Sequence, residues 1–265
     1  MARRYPIGAE LAADGVHFRV WAPAAEQLTL VIEAPPALAL APAAGGYFNA
    51  LVPGLAAGAR YRFRLDGSRD LHADPMSRFQ PDGPFGPSQV IDPHDSAWTD
   101  AGWQGITAPA AQVSDERHGG TGTRAGTYAA AARYLPFLAD VGITTIEVMP
   151  VNDYAGRRGW GYDGVNLFAP CRNYGTPAEL RAFVDRAHAL GVAVILDVVY
   201  NHFGPAGNSH FVYAPQFRAK GGPNDWGDAL DYSQPGVREF FLTNAAYWID
   251  EFHCDGLRID ATLAI

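Results

Sequence analysis

Residues 191–202, Gly-Val-Ala-Val-Ile-Leu-Asp-Val-Val-Tyr-Asn-His, constrain the fold more than any other stretch. A β-branched apolar run without polar alternation is the pattern of a parallel strand covered on both faces. It follows a helical pattern and Gly191, so a β-α-β unit is its natural setting. With a period of two, Ala193, Ile195, Asp197 and Val199 share one face, and Val192, Val194, Leu196 and Val198 share the other. The C-terminal ends of strands in a closed barrel hold the active site, which gives Asp197, Asn201 and His202 a functional reading. An Asp that merely bonds loop amides reads equally well from this strand alone.

A second strand, residues 254–260, carries Arg258 and Asp260 two apart, hence on one face, with Leu257 and Ile259 on the other. An Arg beside a carboxylate favours its ionised form, which a nucleophilic carboxylate needs; a structural salt bridge would look the same locally. A third strand, residues 143–149, is followed by a loop with Gly-Trp-Gly-Tyr-Asp-Gly at 159–164. Three strand ends then deliver carboxylates, and two deliver aromatics, to what reads as one mouth.

Asp197-Val-Val-Tyr-Asn-His202 and Gly256-Leu-Arg-Ile-Asp260 resemble, in order and separation, the first and second signature regions of the α-amylase family of glycoside hydrolases. The fuller text at 157–165 and 201–208 looks most like the members that release trehalose. The resemblance implies a TIM (β/α)8 catalytic barrel, a retaining mechanism and an α-1,4-glucan substrate. By resemblance, Asp260 is the nucleophile and Arg258 holds it ionised. Tyr162 stacks under the sugar ring, Asp197 organises the site floor, and His202 donates to a sugar hydroxyl; Asp163 joins them in binding substrate. Retaining glycosidases need two carboxyls about 5–5.5 Å apart. The family's acid/base Glu has no counterpart here, since Glu147 reads as mid-strand and Glu251 as helical. Leu263 stands where many relatives carry a polar residue. A branching or debranching enzyme, and a non-catalytic glucan-binding remnant, are the alternatives.

Composition narrows the partners. Among the 265 residues 48% are hydrophobic and 12% aromatic, as in a globular protein, and the net charge of −8 without a Lys/Arg cluster argues against nucleic acid or an anionic membrane. No apolar run approaches the roughly 20 residues of a membrane helix, and Met-Ala-Arg-Arg is not followed by a signal-type apolar segment. Cys171 and Cys254 are widely spaced without a metal-type pattern, so a reduced, cytoplasmic protein is the default, and neither metal nor cofactor is expected. Oligomeric state is not legible.

Residues 1–95 read as a β-sandwich, with strands at 16–21, 27–32, 47–52 and 60–66, turns at Asp14-Gly15 and Asp66-Gly67, and an Ala/Pro-rich loop at 34–44. By resemblance this is a glucan-binding-type module. Trp21, Tyr47 and Phe48 are candidate sugar platforms, although aromatics in sandwich strands are more often core. Pro/Gly-rich text at 79–88 and 91–109 reads as a connection.

Residues 96–265 then alternate: helix 128–140, strand 143–149, helix 177–190, strand 192–199, helix 237–252, strand 256–260. In the second helix Ala178, Ala182, Phe183, Ala187 and Leu190 form an apolar stripe, with Thr176 as cap and Pro177 in the first turn. The first barrel strand is expected before Gly126, yet residues 113–122, Val-Ser-Asp-Glu-Arg-His-Gly-Gly-Thr-Gly, are a poor strand by composition. His118 reads as a strand-end His slightly out of register, or the stretch as a local reading-frame error. A full barrel takes ~250 residues, so an incomplete barrel of about four β/α units is expected, inactive in isolation.

Overall fold

The computed structural model describes residues 3–33, 37–106 and 112–265. The N-terminal part contains β1 (Gly8–Ala12), β2 (Gly15–Trp21), β3 (Leu28–Ile32), β4 (Leu38–Ala39), β5 (Ala41–Ala43), β6 (Tyr47–Pro53), β7 (Arg60–Leu65) and β8 (Ser88–Gln89). They form two antiparallel sheets, ordered β1-β2-β6-β5 and β4-β3-β7-β8. Alternating residues make the core between them: Val16, Phe18 and Val20 from β2 meet Leu28 and Leu30 from β3 and Tyr61 and Phe63 from β7. The turn after β7 places Asp66 and Gly67 at φ 49° and 68°, as a tight hairpin turn requires.

Of the loop expected over 34–44, residues 34–36 lie outside the described residues, and β4 and β5 occupy much of the rest. Strand β8 likewise pairs with β7 inside text that reads as connection. Residues 107–109 of that connection lie outside the described residues.

The C-terminal part contains β9 (Ser114–Arg117), α1 (Tyr128–Asp140), β10 (Thr145–Val148), β11 (Asn152–Asp153), β12 (Asn166–Pro170), α2 (Pro177–Ala189), β13 (Ala193–Val198), α3 (His210–Tyr213), β14 (Arg218–Asn224), β15 (Gly227–Leu230), α4 (Pro235–Phe252) and β16 (Gly256–Ile259). Strands β16-β13-β10-β9 form one parallel sheet, the arrangement of the first four strands of a (β/α)8 barrel. One face carries Ile146, Val148, Val194, Leu196 and Val198, all buried with Leu135, Leu138, Leu180 and Val184 of the helices. The opposite face carries Glu147, Ile195, Asp197 and Arg258, in register across β10, β13 and β16.

The poor strand of the sequence is β9, paired in parallel from Ser114 opposite Thr145 to Arg117 opposite Val148. Strand propensity is overridden by the backbone ladder to β10, and β9 is an edge strand among the described residues, where polar side chains reach water. Its helix-facing residues, Asp115 and Arg117, pair with each other, and the Arg117 guanidinium lies 5.3 Å from the Tyr134 ring centre. Small apolar side chains are missing there, and a cavity of about 30 Å³ remains against Leu135, Leu138, Ile146, Val148 and Phe183.

The stripe on α2 also differs from expectation. Ala182 is exposed, while Leu180, Arg181, Phe183, Val184, Ala187 and His188 are buried. Two polar residues go inside because residues 92–103 dock against them. Arg181 pairs with Asp95 and Glu251, and His188 lies between Asp100 and Asp255. The Thr176 cap is present as a full capping box with Glu179.

The two parts share a tight seam. Tyr5, Ile7, Tyr47 and Met76 join the core built by the helices, and the Tyr47 hydroxyl donates to Glu239. Trp21 packs edge-on to Phe217 and covers Gly236 so closely that a Cβ there would lie 2.3 Å from the ring. Phe48 is core. These contacts occupy the three aromatics considered as sugar platforms.

Candidate active site

Asp197 sits near the C-terminal end of β13 and is 2% exposed. Its register partner is Arg258 on β16, so the strand ladder itself aligns the two side chains. Arg258 Nη1 donates to Asp197 Oδ1 and Oδ2 at 3.1 and 2.9 Å and to Asp260 Oδ1 at 2.6 Å. The Tyr162 hydroxyl donates to Asp197 Oδ2 at 2.8 Å. Tyr162, Asp197, Arg258 and Asp260 are therefore one hydrogen-bonded chain at the mouth of the sheet.

Burial pushes the Asp197 carboxyl above its usual range, against the hydrogen bonds from Tyr162 and Arg258. The bond to Asp197 holds the Arg258 guanidinium above even its ordinary value, so its cation is permanent. Burial and the Asp197 carboxylate raise the Tyr162 phenol, which stays a neutral donor. Asp260 leaves the strand with its amide bonded to Val198 O at 3.0 Å, and the next residue, Ala261, is left-handed at φ 43°. A non-glycine residue in that region stores local strain, a common companion of functional sites.

The loop bearing Tyr162 is pressed onto the end of β10 by Gly161, where φ is +98° and a Cβ would lie 2.0 Å from Pro150 O. It also meets the loop after β13 through Gly204 N to Gly164 O at 3.0 Å. His202, 4% exposed, lies in that loop with Nδ1 3.1 Å from Asn201 Oδ1. Burial lowers its pKa, partly opposed by a hydrogen bond to the Tyr162 backbone, so the ring is neutral near pH 7. The hairpin of β14 and β15 props the same loop, with Asn224 Nδ2 donating to Asn201 O at 2.9 Å. Asp163 is exposed beside Tyr162, and its carboxylate makes no hydrogen bond among the described residues. Leu263 is likewise exposed.

Glu147, outside the expected set, and His118, expected only as a strand-end His, also belong to these surroundings. Glu147, which reads as an ordinary mid-strand residue, lies on the Asp197 face with Oε1 4.0 Å from Arg258 Nε. The signal was available in the spacing, since Glu147 opposes Ile195 and thus shares its face. His118, at the end of β9, donates through Nε2 to Gly159 O at 2.7 Å and ties the first strand end to the Tyr162 loop. A cavity of about 680 Å³ opens there, lined by His118, Tyr154, Arg157, Arg158, Trp160 and Tyr174 among others. Among the described residues there is no group of three or more His, Cys, Asp or Glu suited to a metal, and no helix long and apolar enough to cross a membrane.

A β-sandwich followed by a parallel sheet with carboxylates and an arginine at its C-terminal ends is the layout of a multidomain glycoside hydrolase, and known families match both parts. Residues 112–226 match the family described as Alpha amylase, catalytic domain, and residues 6–77 match Carbohydrate-binding module 48 (Isoamylase N-terminal domain). These matches make residues 112–226 part of an α-amylase-type catalytic domain and residues 6–77 a carbohydrate-binding module of the isoamylase N-terminal type.

More particularly, the chain is 44% identical over 248 residues to malto-oligosyltrehalose trehalohydrolase of Deinococcus radiodurans, covering 94% of this chain and 40% of that protein. The same enzyme of Saccharolobus solfataricus is 40% identical over 262 residues, with 98% and 46% covered. A 1,4-alpha-glucan branching enzyme of Corynebacterium jeikeium is 32% identical over 282 residues, with 98% and 39% covered. A crystal structure from Salmonella typhimurium, assigned as an alpha amylase, superposes with a TM-score of 0.95 at 42% identity, covering 99% of this chain and 45% of that one. The chain thus spans less than half the length of these relatives.

Proposed function

We propose that this chain is the nucleophile-bearing N-terminal part of a retaining α-glucan hydrolase that releases trehalose from maltooligosyltrehalose. The bond cleaved is the α-1,4 linkage next to the terminal trehalose unit. The reading rests above all on Arg258, which bridges Asp197 and Asp260 with a single nitrogen while Tyr162 bonds Asp197 from the other side. In this account Asp260 attacks the anomeric carbon, and Arg258 orients it. Asp197 holds Arg258 and Tyr162 in place, Tyr162 supports the sugar ring, and neutral His202 and Asp163 bond sugar hydroxyls. The general acid/base comes from residues outside this chain, so these 265 residues alone are expected to be inactive.

The division of labour follows near residue 95, with a β-sandwich module before it and the barrel portion after it. Two buried thiols, Cys171 and Cys254, support a reducing, cytoplasmic setting. The trehalohydrolase names of the D. radiodurans and S. solfataricus relatives support the substrate assignment. The test is a chain completed with the second half of a close relative's barrel and supplied with maltooligosyltrehalose. Trehalose should appear as product. Formation of new α-1,6 branches without trehalose would replace this reading with a branching activity, in line with the C. jeikeium relative.

A further inference from the structure

At the seam between sandwich and barrel lies a polar cavity of about 470 Å³, lined by Arg4, Glu10, Arg78, His94, Ser96 and Asp250 among others. The arginines around it are partnered, with one exception. Arg3 pairs with Glu10 at 3.5 Å, Arg4 with Glu251 at 2.8 Å, and Arg181 with Glu251 at 3.2 Å and with Asp95. Arg78 is 6% exposed and makes no hydrogen bond or ion pair among the described residues, and its Nε is buried without a partner.

Its guanidinium carbon lies 4.8 Å from the ring centre of Tyr5 and 5.1 Å from that of Tyr247. The aromatic faces offset part of the charge, but guanidinium donors lie in the plane of the group and need acceptors there. Leaving a buried donor such as Nε without one is unfavourable.

We propose that this cavity is a binding site for a small oxyanion, phosphate or carboxylate, received by the in-plane donors of Arg78. A guanidinium flanked by aromatic rings presents a fork that matches two oxygens of such a group. The exposed Asp250 carboxylate at the rim repels extended anions, which restricts the ligand to a compact one. Glu10 and Glu251, which also line the cavity, add little repulsion because Arg3 and the Arg4 amide engage the first and the Arg4 and Arg181 guanidiniums engage the second. The site borders the C-terminal end of α4, which leads into the start of β16, whereas Asp260 lies beyond that strand's other end, so it does not depend on the proposed glucan chemistry.

The test uses the full 265-residue chain and titrates inorganic phosphate against chloride at matched ionic strength, following the thermal midpoint and phosphorus NMR line width. Acetate and glucose 6-phosphate form separate arms that distinguish a free anion, a carboxylate and a phosphate ester. Saturable binding is expected, weakened roughly tenfold or more in Arg78→Gln, the loss of charge-assisted hydrogen bonds. Asp250→Asn, an exposed change that leaves folding intact, should tighten phosphate binding several-fold. Non-saturable effects, equal binding by Arg78→Gln and the parent, or an unchanged affinity in Asp250→Asn would each overturn the site. If Arg78→Gln does not fold, the parent titration and the Asp250→Asn comparison decide the matter.

Discussion

Replacing His188 by Leu removes the centre of a buried polar lock beneath the sheet. His188 Nδ1 lies 2.9 Å from Asp100 Oδ2 and Nε2 lies 3.0 Å from Asp255 Oδ2, so the ring donates at both ends only as imidazolium. Trp103 stacks on it, with ring centres 4.8 Å apart and planes 11° apart. Two charge-assisted hydrogen bonds contribute about 1.5–3 kcal/mol each. The carboxylates left behind keep other donors, His253 on Asp100 and Trp103 with the Val194 amide on Asp255. The net loss is therefore expected near the lower end of the sum, about 3 kcal/mol.

The pH dependence identifies the cause. Burial pushes the His188 pKa down, but the hydrogen bonds the ring donates to Asp255 and Asp100 outweigh burial and hold it above its usual value. A raised histidine stabilises fully below its unfolded pKa of about 6.5 and loses that contribution as pH rises through the folded value. Asp100 and Asp255 are raised by burial, yet their hydrogen bonds to histidine prevail and leave both below the usual range. Their contribution is present above about pH 4 and is lost as pH falls through the folded values. Urea unfolding of the parent and His188→Leu between about pH 4 and 9 should show the largest difference from about pH 4 to 6.5 and a shrinking one at alkaline pH. A difference independent of pH would show that the ring acts by packing alone.

Other expectations are more local. Gly236→Ala should lower the thermal midpoint and shift tryptophan fluorescence, because the added methyl would enter the Trp21 ring; an unchanged midpoint would mean the seam is looser than described. The double change Asp115→Val/Arg117→Leu should stabilise the chain by about 1–2 kcal/mol in urea by filling the apolar gap beside α1. A loss instead would show that the Asp115–Arg117 pair holds β9 in place. Residues 1–95 expressed alone should unfold cooperatively on their own core of Phe18, Leu28, Leu30 and Phe63, and a featureless thermal trace would make the module dependent on the barrel.

The parallel sheet was legible because β13 is apolar on both faces apart from Asp197 and because strand and helix patterns alternate along residues 128–260. That Asp197 and Arg258 share one mouth was legible from the strand ends, but their direct pairing needed the parallel register of β13 and β16. What was hidden depended on contacts distant in sequence. Arg181 and His188 look like a solvated helix face until residues 92–103 are placed over them. Strand β9 has no propensity of its own and exists through its ladder to β10. The hairpins β11–β12 and β14–β15 are short insertions with irregular registers, which carry no periodic signal. Glu147 was set aside as mid-strand, although the register that aligns Asp197 also places it toward Arg258.

The central claim is that Asp260 forms the bond to sugar, and covalent trapping tests it most directly. The chain completed with a relative's second barrel half should be treated with a slow fluorinated glycosyl donor that arrests the glycosyl-enzyme of a retaining hydrolase, then digested and sequenced by mass spectrometry. The account predicts one hexosyl adduct on the peptide containing Asp260, absent from Asp260→Asn. An adduct on Asp197 or Glu147, or turnover of the donor with no adduct and with inversion at the anomeric carbon, would contradict it.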